Sequence, residues 1–289
     1  MKVIINADDF GLSVGVNKGI IDAFKEGLIS STSILINMPD AEDAILRFKQ
    51  NKGLGLGLHV NLTKGKPLLN LESLVGEAGN FKAIHKKAAL KYDSESLENY
   101  DEKTQGELVQ EKKLINFAPD LKDYEAHNFI KEDVYREIKA QIEKVLSYGV
   151  VIDHIDCHNA LHANKAVREV TLQVCKECEL KIRSEHPLLT KFFRDNGIDT
   201  VDVFSTEFSR DNATKENFIK IIEKNLKNNT KSLEIMTHVG YMDSETIKDT
   251  TYITRDRELE ELRKAKASGI YSKFKLVNYE ELFRGEKFF

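Results

Sequence analysis

Short apolar runs alternate with helical patterns along most of the chain. The apolar runs have the length of buried strands, and they occupy residues 3–5, 32–37, 53–62, 150–155, 180–183, 200–204, 233–236 and 274–277. The stretches between them carry apolar side chains three or four positions apart, as on a helix with one buried face, and they occupy residues 15–25, 41–50, 132–147, 163–178, 215–226 and 257–267. This alternation predicts an α/β fold with a parallel sheet covered by helices.

About seven or eight such strand–helix units favour a closed (β/α) barrel over an open sheet. With 289 residues, the chain has the length of one barrel domain, and we expect a single domain over residues 1–289. The rhythm breaks between Thr63 and Glu132, where the sequence is rich in lysine and weakly periodic. We therefore predict an insertion of about residues 63–132 after the third strand, lying over the mouth of the barrel.

Acids and histidines stand at or near the ends of four predicted strands. Asp8 and Asp9 follow the first run, His59 lies near the end of the third, His158 follows the fourth, and His238 follows the run at 233–236. In a parallel barrel the carboxyl ends of all strands share one face, so these side chains should converge. Carboxylates and imidazoles bind divalent cations and can leave coordination positions open for water. The pattern predicts a metal site on this face.

The fourth strand carries further polar side chains. Its two-residue period places His154, Asp156 and His158 on one face, and this set of one carboxylate and two imidazoles could hold a divalent cation. Asp156 or His154 either orients a metal ligand or forms structural hydrogen bonds, and the sequence leaves both interpretations open. The role of His162 stays open. Three further histidines lie outside this pattern, and we interpret them as surface or loop residues: His85, His127 and His186.

Composition narrows the range of partners. Hydrophobic residues make up 41% and charged residues 31% of the chain, as in soluble globular proteins. With 43 Lys and Arg against 47 Asp and Glu, the net charge of -4 gives no electrostatic reason to expect nucleic acid or an anionic membrane as partner. The sequence predicts no membrane span and no signal peptide. Its three cysteines, an odd number, suit a reducing compartment, so we expect a cytoplasmic protein.

Several motifs resemble one known family, the YdjC-like carbohydrate deacetylases of the chitooligosaccharide deacetylase group. The resemblance extends over nearly the whole chain, and the motifs that carry it occur in the family's order. They are NADDFGLSVGVNKGI (6–20), STSILIN (31–37), GLHVNLTKGKPL (57–68), HIDCHNALH (154–162) and LEIMTHVGYMD (233–243).

The resemblance implies a distorted (β/α), TIM-like barrel and an enzyme that removes an acetyl group from an N-acetylated sugar with the help of a metal. By position, Asp9, His59 and His158 correspond to the family's metal ligands, Asp8 to its catalytic base and His238 to its general acid. The implied cofactor is one divalent metal ion, Mg²⁺ or Zn²⁺. The implied substrate is an N-acetylated mono- or oligosaccharide, with or without a phosphate group. Whether the protein forms a homodimer stays open.

The chain departs from the family's pattern at two places. The family often carries three successive histidines where this chain has His158, Asn159 and Ala160. It also usually has a proline where this chain has Val239. The first departure concerns contacts to the sugar near the ligand, and the second concerns the local turn.

Three other functions are compatible with parts of this pattern. A metal-dependent hydrolase of another amide or of a phosphoester would use the same ligands. A non-catalytic, metal-stabilised sugar-binding protein would need no additional carboxylate beside the ligand, so Asp8 argues against it. An iron oxygenase with two histidines and one carboxylate normally has a β-sandwich scaffold rather than alternating strands and helices. The amide reaction itself needs a base for water and an acid for the departing amine, and Asp8 and His238 suit these roles.

Overall fold

The structure, a computed structural model, describes residues 1–82, 129–248 and 253–284. Its strands pair in parallel throughout these ranges. In chain order they are β1 (Lys2–Phe10), β2 (Ser31–Ile34), β3 (Gly55–Val60), β4 (His154–Cys157), β5 (Lys181–Ile182), β6 (Val203–Ser205), β7 (Ser232–Thr237) and β8 (Lys275–Leu276).

The sheet curves into a half-barrel around its first strand. Its strand order is β5-β4-β3-β2-β1-β7-β6, and the short β8 also pairs with β1. Within the described ranges, the two end strands of this path, β5 and β6, do not pair with each other. The predicted parallel α/β fold is confirmed, and the half-barrel is consistent with a distorted barrel.

Helices follow most of the strands and cover the sheet. They are α1 (Val14–Lys25), α2 (Ala41–Lys49), α3 (Lys131–Ser147), α4 (Lys165–Cys178), α5 (Pro187–Asp195), α6 (Lys215–Lys227), α7 (Arg255–Ala267) and α8 (Tyr279–Phe283). The six helices predicted from the sequence are present, with bounds that differ by no more than two residues. The sequence pattern did not predict α5 and α8.

The first strand divides its side chains between two environments. Val3 and Ile5 point towards the helices and belong to the main hydrophobic core, whereas Ile4 belongs to a small separate cluster with Val201 and Tyr279. This two-residue alternation is that of a strand buried on both faces. Further along β1, Asp8 takes the face that Ile4 occupies, so the interior of the half-barrel becomes polar towards the carboxyl ends of the strands.

Part of the predicted insertion belongs to the described residues. Residues 63–82 pack against α3, where the Glu137 carboxylate accepts hydrogen bonds from the backbone N–H groups of Leu68 and Leu69. The Ser73 hydroxyl likewise donates to Asp133 at 2.5 Å. Residues 83–128 lie outside the described residues, and so do His85 and His127.

Several strand bounds and the exposure of one histidine differ from the prediction. The runs predicted at 32–37, 53–62 and 200–204 form the shorter strands β2, β3 and β6. We expected the fourth strand at residues 150–155, but β4 spans His154–Cys157. Its pairing with β3 begins only at His154, so residues 150–153 lie before the strand. His186 lies in a loop as expected, yet it is buried, and its Nδ1 accepts a hydrogen bond from the N–H of Leu188 at the start of α5. Within the described residues, each helix is too short or too polar to cross a membrane.

Candidate active site

The five predicted site residues lie together at one edge of the sheet. Asp8 and Asp9 occupy the end of β1, and His59 is the last residue but one of β3. His158 directly follows β4, and His238 directly follows β7. Because the strands are parallel, their carboxyl ends meet here, as the sequence pattern predicted. All five side chains are buried or half-buried.

Asp9 departs from regular strand geometry. Its φ of 72° lies in the left-handed region, at a point where the pairing of β1 with β2 shifts register. The Arg255 guanidinium contacts Asp9 Oδ2 at 2.5 Å, whereas the buried Oδ1 makes no hydrogen bond to any described residue. Burial alone would raise the pKa of Asp9, but Arg255 and the neighbouring histidines hold it well below its usual range. Asp9 is therefore an anion with one oxygen open to a ligand.

His59 is oriented by a carboxylate on the next strand. Its Nδ1 lies 2.7 Å from Asp156 Oδ1, and the two residues are direct neighbours in the ladder between β3 and β4. Its other ring nitrogen, Nε2, lies 3.6 Å from Asp9 Oδ1. Burial would lower the pKa of His59, but Asp156, Asp8 and Asp9 raise it to about 9. Because Asp156 holds Nδ1, the other ring nitrogen, Nε2, faces the open oxygen of Asp9.

His158 completes this group from the turn after β4. Its ring centroid lies 5.5 Å from that of His59, in an edge-to-face arrangement. The hydroxyl of Thr63 lies 2.6 Å from His158 Nδ1, so this imidazole too is held through Nδ1. His59 is therefore a neighbour of both Asp9 and His158.

Asp8 is held by a different set of partners. Arg183 donates from Nη1 to Oδ2 and from Nη2 to Oδ1, each at 2.7 Å, and Asn6 Nδ2 donates to Oδ1 at 2.8 Å. Such a two-point contact between guanidinium and carboxylate fixes the carboxylate plane as well as its charge. Both oxygens of Asp8 are thus oriented, in contrast to Asp9.

Arg183 connects Asp8 to a buried polar layer below the site. Its guanidinium contacts Asp156 Oδ2 at 2.9 Å and Glu234 Oε1 at 2.8 Å, and Glu234 in turn accepts a hydrogen bond from the Tyr279 hydroxyl. Burial would lower the pKa of Arg183, but Asp156, Asp8 and Glu234 raise it well above its usual value. Arg183 therefore remains charged in the interior of the half-barrel.

Two arginines of this site, Arg183 and Arg255, were not predicted from the sequence. Arg183 directly follows β5, so the strand-end pattern that selected the acids and histidines could have found it. Arg255 begins α7 and offers no comparable signal. Its partner Asp9 is 246 positions away in the chain, and no periodicity relates residues at that separation.

His238 is anchored through its backbone. Its N–H donates to Glu258 Oε2 at 2.6 Å, and Glu258 lies one turn along α7 from Arg255. Burial lowers the pKa of His238 to about 4, although the nearby Asp9 and Asp8 carboxylates oppose this shift. Its imidazole is therefore neutral near pH 7. One face of α7 thus holds both Asp9 and His238 in place.

His154 and Asp156 have different surroundings. Asp156 contacts His59 and therefore orients a predicted ligand. His154 belongs to the layer below, where it pairs with Asp153 and stacks on Tyr279 with ring centroids 3.9 Å apart. Among the described residues, His154 therefore does not form the metal-binding group with Asp156 and His158 that the alternation of the fourth strand suggested.

Two overlapping groups of side chains could hold a divalent cation. Ligand atoms of Asp8, His59 and Asp156 lie within 4.8 Å of one another. However, the Arg183 guanidinium contacts both carboxylates of this group, and its charge would repel a cation placed there. The predicted group of Asp9, His59 and His158 offers an unbonded carboxylate oxygen and two imidazoles held through Nδ1. The donor chemistry at this site therefore fits a divalent metal.

Known proteins agree with the motifs. The YdjC-like protein family matches residues 2–273. A carbohydrate deacetylase from Clostridium beijerinckii is 32% identical, covering 98% of this chain and 100% of its own, and one from Geobacillus stearothermophilus is 33% identical over 86% and 83%. The structure of an Enterococcus faecalis protein named for cellobiose-phosphate cleavage superposes with a TM-score of 0.76 at 26% identity, over 97% of this chain and 98% of that one. The chain therefore belongs to the YdjC-like protein family, the enzyme family that its motifs predicted.

Proposed function

We propose that this protein is a metal-dependent hydrolase that removes the N-acetyl group from an N-acetylated sugar such as a chitooligosaccharide. Asp9, His59 and His158 would hold one divalent cation, Mg²⁺ or Zn²⁺. One observation carries the proposal: the buried Oδ1 of Asp9 makes no hydrogen bond within the described residues and lies 3.6 Å from His59 Nε2. The relatives named as carbohydrate deacetylases support the substrate class.

Amide hydrolysis needs help with the nucleophile and with the leaving group. A bound divalent cation would supply a water molecule of lowered pKa, near ~7, and would polarise the amide carbonyl. The protein must then take a proton from the attacking water and give one to the departing amine. Asp8 and His238 are the two groups that we assign to these transfers.

Asp8 suits the role of base because it is next to Asp9 and is rigidly oriented. Its Oδ1 already accepts hydrogen bonds from Arg183 and Asn6, whereas Oδ2 accepts one from Arg183. A carboxylate oxygen can accept two hydrogen bonds, so Oδ2 is the atom that can still receive the water proton. Arg183 would keep Asp8 in this orientation and would stabilise its charge before the reaction.

His238 suits the role of acid, but it must first gain a proton. Its pKa of about 4, lowered by burial, means that the free protein holds a neutral imidazole near pH 7. The proton that Asp8 takes from the attacking water would pass to this neutral imidazole, which would then give it to the amine nitrogen of the departing sugar. Glu258 would hold the backbone of His238 in position for this transfer.

The loop after β3 suits contact with the sugar. The Asn37 side chain donates to the backbone carbonyls of Lys64 and Lys66, at 3.0 and 2.9 Å, and so fixes this loop beside the site. One similar structure is named for cleavage of a phosphorylated sugar. We propose that the Lys64 and Lys66 side chains contact an anionic group when the substrate carries one, and that residues 63–132 help to enclose the sugar.

The proposal extends to the organisation and location of the protein. We propose one deacetylase domain over residues 1–289. The three cysteines are free, and Cys157 and Cys175 are buried, which suits a reducing compartment such as the cytoplasm.

Acetate release from a series of N-acetylglucosamine oligomers tests the proposal. The series should run from the monosaccharide to longer oligomers, each with and without a phosphate group, for the metal-stripped and the metal-reloaded protein. We expect acetate release only after reloading. Release of phosphate instead of acetate would favour phosphoester hydrolysis, and sugar binding without either product would favour a non-catalytic protein.

A further inference from the structure

The hydroxyl of Thr63 lies within hydrogen-bonding distance of the His158 imidazole. Its Oγ1 lies 2.6 Å from His158 Nδ1, although the two residues are 95 positions apart in the chain. Thr63 is half-buried and belongs to the loop that follows β3. A strand-end histidine is thus oriented by a loop residue, whereas His59 is oriented by the carboxylate of Asp156 on a strand.

The loop that carries Thr63 is fixed by asparagine side chains at the ends of two strands. Asn61 Oδ1 accepts hydrogen bonds from the backbone N–H groups of Thr63 and Lys64, at 3.0 and 2.9 Å. Asn61 Nδ2 donates to the carbonyl of Lys64 and to Asn37 Oδ1, each at 2.8 Å. The position of the Thr63 hydroxyl is therefore set by the ends of β2 and β3 and not by a freely moving loop.

Thr63 Oγ1 can accept a hydrogen bond from His158 Nδ1. An imidazole that binds a metal through Nε2 carries its proton on Nδ1. Thr63 Oγ1 lies 2.6 Å from that nitrogen, and a hydroxyl accepts two hydrogen bonds and donates one. Asn61 Oδ1, 3.4 Å from Thr63 Oγ1, is an acceptor for the hydroxyl proton. Asn159 Nδ2 lies 3.0 Å from His158 Nδ1 and 3.2 Å from Thr63 Oγ1, but an amide nitrogen only donates and so cannot take the place of Thr63 as acceptor.

We propose that Thr63 is a positioning residue that accepts a hydrogen bond from the Nδ1 proton of His158 when Nε2 of this imidazole binds the metal. This inference rests on the proposed function, because it assumes that His158 is a metal ligand. The two imidazoles would then have different partners, a charged carboxylate for His59 and a neutral hydroxyl for His158. A neutral partner adds no further negative charge to a site that already contains Asp8, Asp9 and Asp156.

The zinc affinity of Thr63→Val tests this proposal. Valine keeps the shape of threonine but leaves the Nδ1 proton of His158 without its acceptor. We expect the zinc dissociation constant, measured by chelator competition, to rise by about 10- to 100-fold, the range known for residues that orient metal ligands. Thr63→Ser restores the hydroxyl and should restore most of the affinity. Ser73→Ala, which removes another hydroxyl from the same segment, should leave the zinc affinity unchanged.

A spectroscopic measurement separates positioning from a general structural role. In the zinc-loaded protein, the nitrogen NMR spectrum of His158, assigned by its loss in His158→Gln, should show a proton on Nδ1 that exchanges slowly. That proton should exchange faster in Thr63→Val. Thr63→Val with wild-type zinc affinity, or Thr63→Ser as weak as Thr63→Val, would overturn the inference while the proposed function stands. A wild-type protein that binds no divalent metal would overturn both.

Discussion

Asp8 and Asp9 are neighbours in the chain, yet their surroundings are organised in opposite ways. On the Asp8 side, Arg183 contacts both oxygens of the carboxylate and continues to Glu234. On the Asp9 side, Arg255 contacts one oxygen and the other makes no hydrogen bond within the described residues. A fully paired buried carboxylate is stable by itself, whereas an unbonded buried carboxylate oxygen is costly unless a ligand occupies it.

These two surroundings indicate where a cation and a base could each lie. A cation would compete with a guanidinium on the Asp8 side, but on the Asp9 side it would meet an open oxygen and His59 Nε2. The positive φ of Asp9 is part of this arrangement, because it turns the side chain out of the regular alternation of β1. In the mechanism that we propose, two identical residue types divide the roles of base and ligand because their surroundings differ.

The largest expected effect comes from Asp8→Asn. The amide keeps the shape of the carboxylate but cannot accept the water proton, so the turnover number should fall by roughly 10²- to 10⁴-fold. Arg183 retains Asp156 and Glu234 as partners, and metal content should stay at the wild-type level. Kinetics and elemental analysis on the same sample check both parts. Loss of metal in this variant would reverse our assignment of the two acids.

His238→Ala should give an activity loss of similar size for an amide substrate, about 10²- to 10⁴-fold, with metal retained. The loss should be smaller for an ester analogue, because an alkoxide leaving group depends less on protonation than an amine does. Parallel rate measurements on N-acetyl and O-acetyl substrates check this difference. Equal losses on both substrates would mean that His238 does not protonate the leaving group.

Asp9→Asn should act on the metal and not on the proton transfer. It removes the charged oxygen ligand, so the metal dissociation constant should rise by more than the roughly 100-fold typical of residues that only orient ligands. Activity should fall with occupancy and recover in part when excess metal is added. Titration of activity with metal compares this variant with Asp8→Asn, which excess metal should not rescue.

Tyr279→Phe weakens the layer that supports the Asp8 side. It leaves the buried Glu234 carboxylate without the tyrosine hydroxyl, so the free energy of unfolding should fall by about 1–3 kcal/mol. Tyr271→Phe is a matched control, because its hydroxyl donates to the backbone carbonyl of Leu28, a neutral acceptor, and its loss should cost less. Denaturant unfolding of both variants measures the difference. Equal stability of Tyr279→Phe and wild type would show that this layer does not support the site.

The smallest expected effect is on the pH dependence of stability and comes from His162. This buried histidine lies 3.2 Å from Glu185, near Asp156 and Arg183. Burial lowers the pKa of His162 to about 3, against about 6.5 in an unfolded chain. Between these values the unfolded state binds the additional proton, so stability is lost as the pH falls. His162→Gln should remove about 1.4 kcal/mol per pH unit from this slope between about pH 6 and pH 4. Unfolding measured across this range in both proteins gives the two slopes, and parallel slopes would contradict the assignment.

The sequence pattern predicted which residues meet at this edge of the sheet better than it predicted the contacts between them. Asp8, Asp9, His59, His158 and His238 stand near strand ends, and parallel strands bring such residues together whatever their separation in the chain. The contacts that distinguish Asp8 from Asp9 come from Arg183 and Arg255, which are 175 and 246 positions away from their partners. Hydrophobic periodicity describes the local face of a residue, and it carries no information about such pairs.

For the fold as well, the sequence predicted local elements better than the contacts between distant ones. The long helices were predicted because their apolar positions repeat over several turns, as in α3 and α4. The nine-residue α5 was missed, although proline at its first position is a common helix start. The extent of barrel closure was also beyond the sequence pattern, because it depends on whether β5 and β6 meet and not on the pattern within either strand.

Locating the bound metal is the most direct test of whether Asp9 or Asp8 is the carboxylate ligand. Crystals of the zinc-loaded protein, examined by anomalous scattering at the zinc edge, would locate the ion without reference to activity. We predict one ion within about 2.0–2.2 Å of Asp9 Oδ1, His59 Nε2 and His158 Nε2, with Arg183 still paired to Asp8. An ion held by Asp8, His59 and Asp156, with Arg183 displaced, would contradict the account.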